Sequence, residues 1–301
     1  MNPKIRRSGA LVAFLLTLAA GALAQEQPPA PPDGTRPVRS PGNAEWAKNW
    51  REAQTTAAAQ KKLVFYEFGA PNCGACQRMQ GLLYPAFDFE ALLIGMVPVK
   101  VELGSNDAGP LAERYKIKDV PSILITTPEG RLVFLMQGFK TAPEFYHHVH
   151  ADLDRYRQFV KKIDAQDIPK LSAEEAYMTG RELYARSDPA AALPRLKRAS
   201  VAPKPQPGVR ENALEGLAEV ELELGDMKAS RESIDKLVAT TKDPAQKERA
   251  ELFRAQLPLA EKKPAEALAL YKQFLKDHPS SQYRAQVEGY IARLEGAAPA
   301  Q

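Results

Sequence analysis

Two cysteines occur in the chain, Cys73 and Cys76, with Gly74 and Ala75 between them. Disulfide exchange needs a thiolate that attacks and a second thiol close enough to resolve the mixed disulfide. The spacing C-x-x-C at the start of a helix supplies both. Its first sulfur meets unpaired backbone N–H groups that favour negative charge, and its second lies one turn inward. Cys73 is therefore the expected nucleophile and Cys76 the resolving thiol. A lone pair also suits an oxidising compartment, where scattered cysteines invite wrong pairings. C-x-x-C is also half of a metal site, but no second cysteine pair exists to complete one.

The elements that must hold this pair are legible on either side of it. Leu63-Val64-Phe65-Tyr66 is an apolar run of β-type residues, suited to a strand covered on both faces. After a short turn, residues 77–83 continue as a helix. Residues 97–101 suit a second buried strand and 108–115 a helix. Ser122–Thr126 and Leu132–Gln137 flank Pro128-Glu129-Gly130, which reads as a hairpin turn. A closing helix puts Phe145, Val149, Leu153, Tyr156 and Val160 on one stripe. Order is expected to begin near Asn43, a helix cap, with Trp46, Ala47 and Trp50 at helical spacing. Glu67 interrupts the first apolar strand six residues before Cys73. Its alternatives are a strand-end glutamate in solvent or a desolvated carboxyl. The desolvated group would hold its proton more readily and exchange it with the resolving thiol through water.

The run Lys62-Leu-Val-Phe-Tyr-Glu-Phe-Gly-Ala-Pro-Asn-Cys-Gly-Ala-Cys76 resembles the thioredoxin segment from strand to active site. Tyr115-Lys-Ile-Lys-Asp-Val-Pro-Ser-Ile-Leu-Ile125 resembles the segment that carries that family's cis-proline, and Gly138 falls where the fold has a glycine after its last strand. The resemblance covers about residues 46–153. It implies that Pro121 is the cis-proline, turning the Val120 backbone toward the sulfurs to pair with an extended substrate. An ordinary trans proline opening a strand is the alternative. It also implies that Glu67 is the family's buried acid and Lys100 its lysine partner. Two positions depart from the family: Asn72 stands where it has a tryptophan and Ala75 where it has a proline. Both alter the rim that meets substrate, which Asn72, Gly74, Ala75, Val120 and Pro121 are expected to form.

From about Leu171 strand signals vanish, and alanine, leucine and charged residues recur at helical spacing. Ala192, Ser230 and Ala267 occupy equivalent places in three similar units, at spacings of 38 and 37. Gly180, Leu183, Asp188, Ala192, Leu196 and Ala199 form the clearest unit; Ala267, Tyr271, Phe274 and Pro279 belong to the third. This resembles tetratricopeptide repeats, in which small residues let paired helices approach and proline ends the unit. An irregular helical bundle is the alternative, and Pro258 falls where a first helix should run on.

At the N-terminus, Lys4, Arg6 and Arg7 precede an apolar run, and Ala22-Leu23-Ala24 then offers small residues at both positions a signal peptidase reads. Residues 1–24 are therefore expected to be a cleaved signal peptide, and the apolar run is too short to span a bilayer. Gln25, not a cysteine, directly follows the expected cleavage site, which disfavours a lipoprotein anchor. The formal charge of +4 falls to +1 once those three basic residues are removed, which gives no electrostatic case for nucleic acid or an anionic membrane. Residues 25–41 contain six prolines among small and polar residues and suit an extended spacer.

The expected architecture is a signal peptide (1–24), a proline-rich linker (25–42), an α/β domain of thioredoxin fold (43–165) and an all-α, tetratricopeptide-like domain of helical hairpins (171–298). The expected chemistry is thiol–disulfide exchange in the periplasm or outside the cell, with no cofactor or metal beyond the dithiol itself. Protein thiols and disulfides would be its substrates, and a protein partner would dock on the helical repeats. Reduction, oxidation and isomerisation are all open to such a pair. The rival readings are a helical adaptor whose thioredoxin-like part is vestigial or anchors a partner covalently, and a thiol-based copper carrier. Intact Cys73, Cys76, Glu67 and Pro121 favour the enzyme over the first, and the missing Met- or His-rich tract counts against the second. His147, His148 and His150 read as a helix face turned to solvent rather than as a metal site.

Overall fold

The computed structural model of the chain describes residues 45–296. The expected signal peptide at 1–24, the linker at 25–42, the cap at Asn43 and residues 297–298 of the helical domain lie outside them. Ahead of the first helix the chain runs along the sheet: Ala47 bridges in parallel to Val99. Helix α1 (Trp50–Gln60) starts only at Asn49, whose side chain accepts the Glu52 N–H at 2.9 Å. Trp46 and Ala47, expected on that helix, therefore precede it.

β1 (Leu63–Gly69) leads into α2 (Gly74–Leu83) and the short α3 (Phe87–Leu93). β2 (Met96–Glu102), α4 (Gly109–Tyr115), β3 (Ser122–Thr126), β4 (Leu132–Gln137) and the long α5 (Ala142–Asp164) follow. The four strands lie in the order β2-β1-β3-β4, with β1–β2 parallel and the other two pairings antiparallel. Strand alternation then sorts the core. Phe65, Ile123 and Ile125 face α2, α3 and α5, packing with Met79, Leu83, Phe89, Phe145 and Val149. Val64, Tyr66, Phe68, Val99 and Leu124 face α1 and α4, packing with Ala53, Ala57, Leu111 and Tyr115. Each fully buried Val, Leu, Ile, Phe or Met among them contributes about 1.5–3 kcal/mol, so the sheet that carries the site is fixed from both faces.

The remainder is all helical. A 3₁₀ turn at Ile168–Lys170 leads to the hairpins α6–α7 (Ala173–Ala185, Pro189–Val201), α8–α9 (Val209–Glu223, Met227–Thr240) and α10–α11 (Pro244–Ala260, Pro264–Asp277). Helix α12 (Arg284–Gly296) packs last. The small residues lie at the closest approaches. A Cβ on Gly180 would stand 2.9 Å from Leu196 Cγ, and Ser230 Oγ donates to the Ala218 carbonyl at 2.7 Å. The recurring spacing extends to the caps, with Asp188, Asp226 and Lys263 opening α7, α9 and α11. α10 runs through Pro258, which lies in its last turn, to Ala260.

The first helical hairpin seats directly on the sheet domain. Two nitrogens of Arg131 donate to Asp188 Oδ2 at 2.7 Å, while Asp188 Oδ1 accepts the Ala191 N–H and so caps α7. Leu132 N–H donates to the Arg186 carbonyl at 2.7 Å, extending the β4 edge. Arg114 reaches the Ser187 carbonyl at 2.6 Å, passing where any side chain on Gly130 (φ 92°) would collide with its guanidinium. Among the described residues no helix is long and apolar enough to cross a membrane.

Candidate active site

Cys73 is the N-cap of α2 and is joined to Cys76 by a disulfide. The Cys76 N–H points at Cys73 Sγ, 3.1 Å away, so the backbone donor that would steady a Cys73 thiolate is already aimed at it. The two sulfurs differ in access: Cys76 is 4% exposed, whereas Cys73 is half-buried. Asn72, exposed just before it, turns the chain into the helix with φ 59°, a left-handed conformation that asparagine tolerates better than most residues. Gly74 is exposed and Ala75 half-buried, so the rim around Cys73 is low and open.

β1 supplies the floor. Gly69 ends the strand, and a Cβ there would stand 3.8 Å from Cys76 Sγ. Two residues back on the same face lies Glu67, 3% exposed. Its carboxyl is held by two donors from the far end of α2: Gln80 Nε2 reaches Oε1 at 2.5 Å, and the Tyr84 hydroxyl donates to Oε2. Burial pushes the Glu67 pKa above its ordinary value, against the opposing pull of the Gln80 hydrogen bond and the Lys100 charge. Lys100 stands opposite Glu67 in the β1–β2 register but forms no ion pair with it. Its ammonium lies 5.1 Å from the centre of the Trp46 ring and 5.5 Å from that of Tyr84. The lysine thus acts on the carboxyl at a distance, over the ring of the tyrosine that donates to it.

The Val120–Pro121 peptide bond is cis. β3 pairs Ser122 with Phe68, so one further step of antiparallel register carries Pro121 toward Gly69 and the sulfur behind it. Val120 is half-buried beside it, and the Gly138 N–H donates to the Pro121 carbonyl at 2.8 Å. The arrangement brings together Cys73, Cys76, Gly69 and the Glu67 cluster, with Pro121 at the adjoining strand end. Gln80 and Tyr84 escaped the sequence reading. They continue the Cys76 face of the helix at steps of four, a signal that was present once Glu67 was placed on the facing strand. His147, His148 and His150 are exposed on α5, and no group of three or more metal-ligating side chains converges among the described residues.

Linkage gives the raised Glu67 pKa a measurable consequence. The folded state binds that proton more tightly than the unfolded chain, so stability falls as pH rises above the ordinary carboxylate value and until the native carboxyl has ionised. Glu67→Gln, which removes the ionisation, should raise Tm by a few degrees at neutral pH. The gain should shrink as pH falls toward the carboxylate range. Thermal unfolding of the oxidised protein across that range checks it. A variant less stable than wild type at every pH would mean that the Gln80 and Tyr84 hydrogen bonds outweigh the cost of burial.

The family model for a thioredoxin-like domain matches residues 50–151. No curated protein matches the chain. Solved structures resemble part of it, three of them as follows. A thioredoxin from Thermus thermophilus is 21% identical, with 36% of this chain and 86% of its own covered and a TM-score of 0.33. A DsbH oxidoreductase is 19% identical, with 42% and 94% covered and a TM-score of 0.33. Poplar thioredoxin h is 19% identical, with 35% and 88% covered and a TM-score of 0.29. On the family match, the mixed sheet and the cysteine pair at the head of α2, residues 50–151 are a thioredoxin-like domain, set ahead of an all-helical region.

Proposed function

We propose that the protein is an exported thiol–disulfide oxidoreductase that works on protein substrates, with Cys73 as nucleophile and Cys76 as resolving thiol. The observation that carries the reading is the asymmetry of the pair: an accessible sulfur at a helix N-terminus, with its partner buried behind it over a desolvated carboxyl. In the reducing direction the Cys73 thiolate attacks one sulfur of a substrate disulfide. The Cys73–substrate bond forms, the substrate S–S bond breaks, and the departing thiolate takes up a proton. Cys76 then loses its proton, for which Glu67 is the proposed acceptor through water, and attacks Cys73. The Cys73–Cys76 disulfide forms and the second substrate thiolate leaves, so two electrons have passed to the substrate. The reverse sequence oxidises a dithiol. The electrons are proposed to pass through the dithiol alone in either direction, with Glu67 serving only the proton.

Export rests on the signal pattern at residues 1–24, and the helical hairpins are proposed to select the partner, since stacked hairpins leave an extended surface. The same hairpins have a second role that the Arg131–Asp188 pair and the Leu132–Arg186 bond favour: they buttress the β3–β4 hairpin. The test is turnover by the full-length protein of a protein disulfide, with a small dithiol as electron donor. Many turnovers per chain are expected. Exchange no faster than the donor alone would favour the adaptor reading.

A further inference from the structure

Beside Cys73 the surface is cationic and carries an open aromatic ring. Arg78 lies one turn into α2 from Gly74 and reaches back over that turn: a Cβ on Gly74 would stand 3.7 Å from its Nη1. The same guanidinium lies 5.9 Å from the centre of the Phe139 ring, which is 39% exposed. Phe139 comes to this place because Gly138 turns the chain at φ 82° and bonds the Pro121 carbonyl. Lys118 joins the same junction, its N–H donating to Gln137 Oε1 at 2.9 Å, and Lys140 follows Phe139. Among the described residues Arg78, Lys118 and Lys140 enter no ion pair, although the Thr141 hydrogen bonds and, after them, the charge of Lys140 hold the Glu144 carboxyl below its ordinary pKa. Asp119 is the acid these two loops carry, and Glu144, at the start of α5, is taken up in the capping box with Thr141. An exposed guanidinium steadied against a ring, with no carboxylate of its own, is suited to pairing with one from outside.

We propose that Arg78 and Phe139 form a docking surface for an extended stretch of protein substrate whose reactive cysteine is flanked by an acidic and an apolar side chain. Arg78 pairs with the carboxylate and Phe139 carries the apolar group, while Lys118 and Lys140 raise the rate of encounter with such a segment. The inference rests on the oxidoreductase reading and names the substrate class for it.

The test uses two peptides that differ in one residue beside their cysteine, Glu or Lys, each as a mixed disulfide with mercaptoethanol. The reduced full-length protein attacks the peptide sulfur through Cys73 and mercaptoethanol leaves; Cys76 then releases the peptide thiol. The ratio of kcat/KM for the Glu peptide over the Lys peptide should be about tenfold at low salt and should shrink as salt screens the contact. R78E should bring that ratio below one, and R78Q should bring it toward one even if R78E does not fold. F139A should remove the preference for an apolar neighbour on the other side of the cysteine. A wild-type ratio near one, or a ratio unchanged in R78E and R78Q, overturns the proposal. Hydroxyethyl disulfide, small and neutral, separates the two levels. Exchange with it but no discrimination between peptides sinks this inference alone, whereas no exchange with any disulfide sinks the oxidoreductase reading as well.

Discussion

Cys73→Ala should abolish disulfide turnover, whereas Cys76→Ala should keep the first attack and accumulate a mixed disulfide between Cys73 and the substrate. The expectation follows from access and position. Cys73 Sγ is the half-buried sulfur and has the Cys76 N–H directed at it, while Cys76 is closed off beneath the helix and against Gly69. Removing the outer sulfur leaves no atom that a protein substrate can reach. Removing the inner one leaves a nucleophile whose product cannot be resolved from within, so the intermediate persists until an outside thiol arrives. Non-reducing electrophoresis and mass measurement of the two single variants after exposure to one protein disulfide distinguish these outcomes. Equal trapping by both would contradict the assigned roles.

The second large effect is expected at Glu67. Glu67→Gln should slow release of substrate from the Cys73 mixed disulfide by about 10²-fold at neutral pH, and change the initial attack by less than about twofold. The reason is that Cys73 is activated by the head of α2, whereas Cys76 must lose a proton where water has little access. The wild-type release rate should rise with pH as the Glu67 carboxyl, its pKa raised by burial, ionises. That dependence should vanish in the variant. Tyr84→Phe offers an intermediate case: it removes a donor to the carboxylate, which drives the Glu67 pKa higher, so the same rise in rate should move to higher pH. Stopped-flow measurement of the two steps separates them. An effect below about twofold on release would make Glu67 a structural group with no part in proton transfer.

What the chain reveals before it folds is what is local to it. The two cysteines, the apolar strand before them, the Val-Pro step and the helical periodicity after Leu171 are short-range patterns, and each marks its own element. The expected α/β thioredoxin fold and the all-helical region that follows it are the architecture observed. One short-range reading went astray and one element passed unread, each for a physical reason. Trp46, Ala47 and Trp50 have helical spacing, but Asn49 caps the helix between them and Ala47 bridges to Val99. α3 has seven residues, too few for its periodicity to declare itself. The rest depends on which element faces which. The Glu67 cluster exists because β1 lies beneath the far end of α2, and only the fold puts Gln80 and Tyr84 there. Lys100 stands opposite Glu67 in register, yet its ammonium settles over two rings contributed from other segments. The seating of the Arg186-Ser187-Asp188 turn on β4 and α4 spans more than fifty residues of chain and leaves no periodic trace in it.

Cys73 and Cys76 should form one reversible two-electron couple in the folded protein. Equilibrating the full-length protein in glutathione buffers of graded redox ratio, then quenching with an alkylating reagent and weighing it, measures this directly. Two populations are expected, one with neither cysteine alkylated and one with both, exchanging in a single transition that is the same from either direction. A pair that stays fully closed or fully open in every buffer, or that passes through a dominant species with one thiol alkylated and the other bound to glutathione, would contradict it.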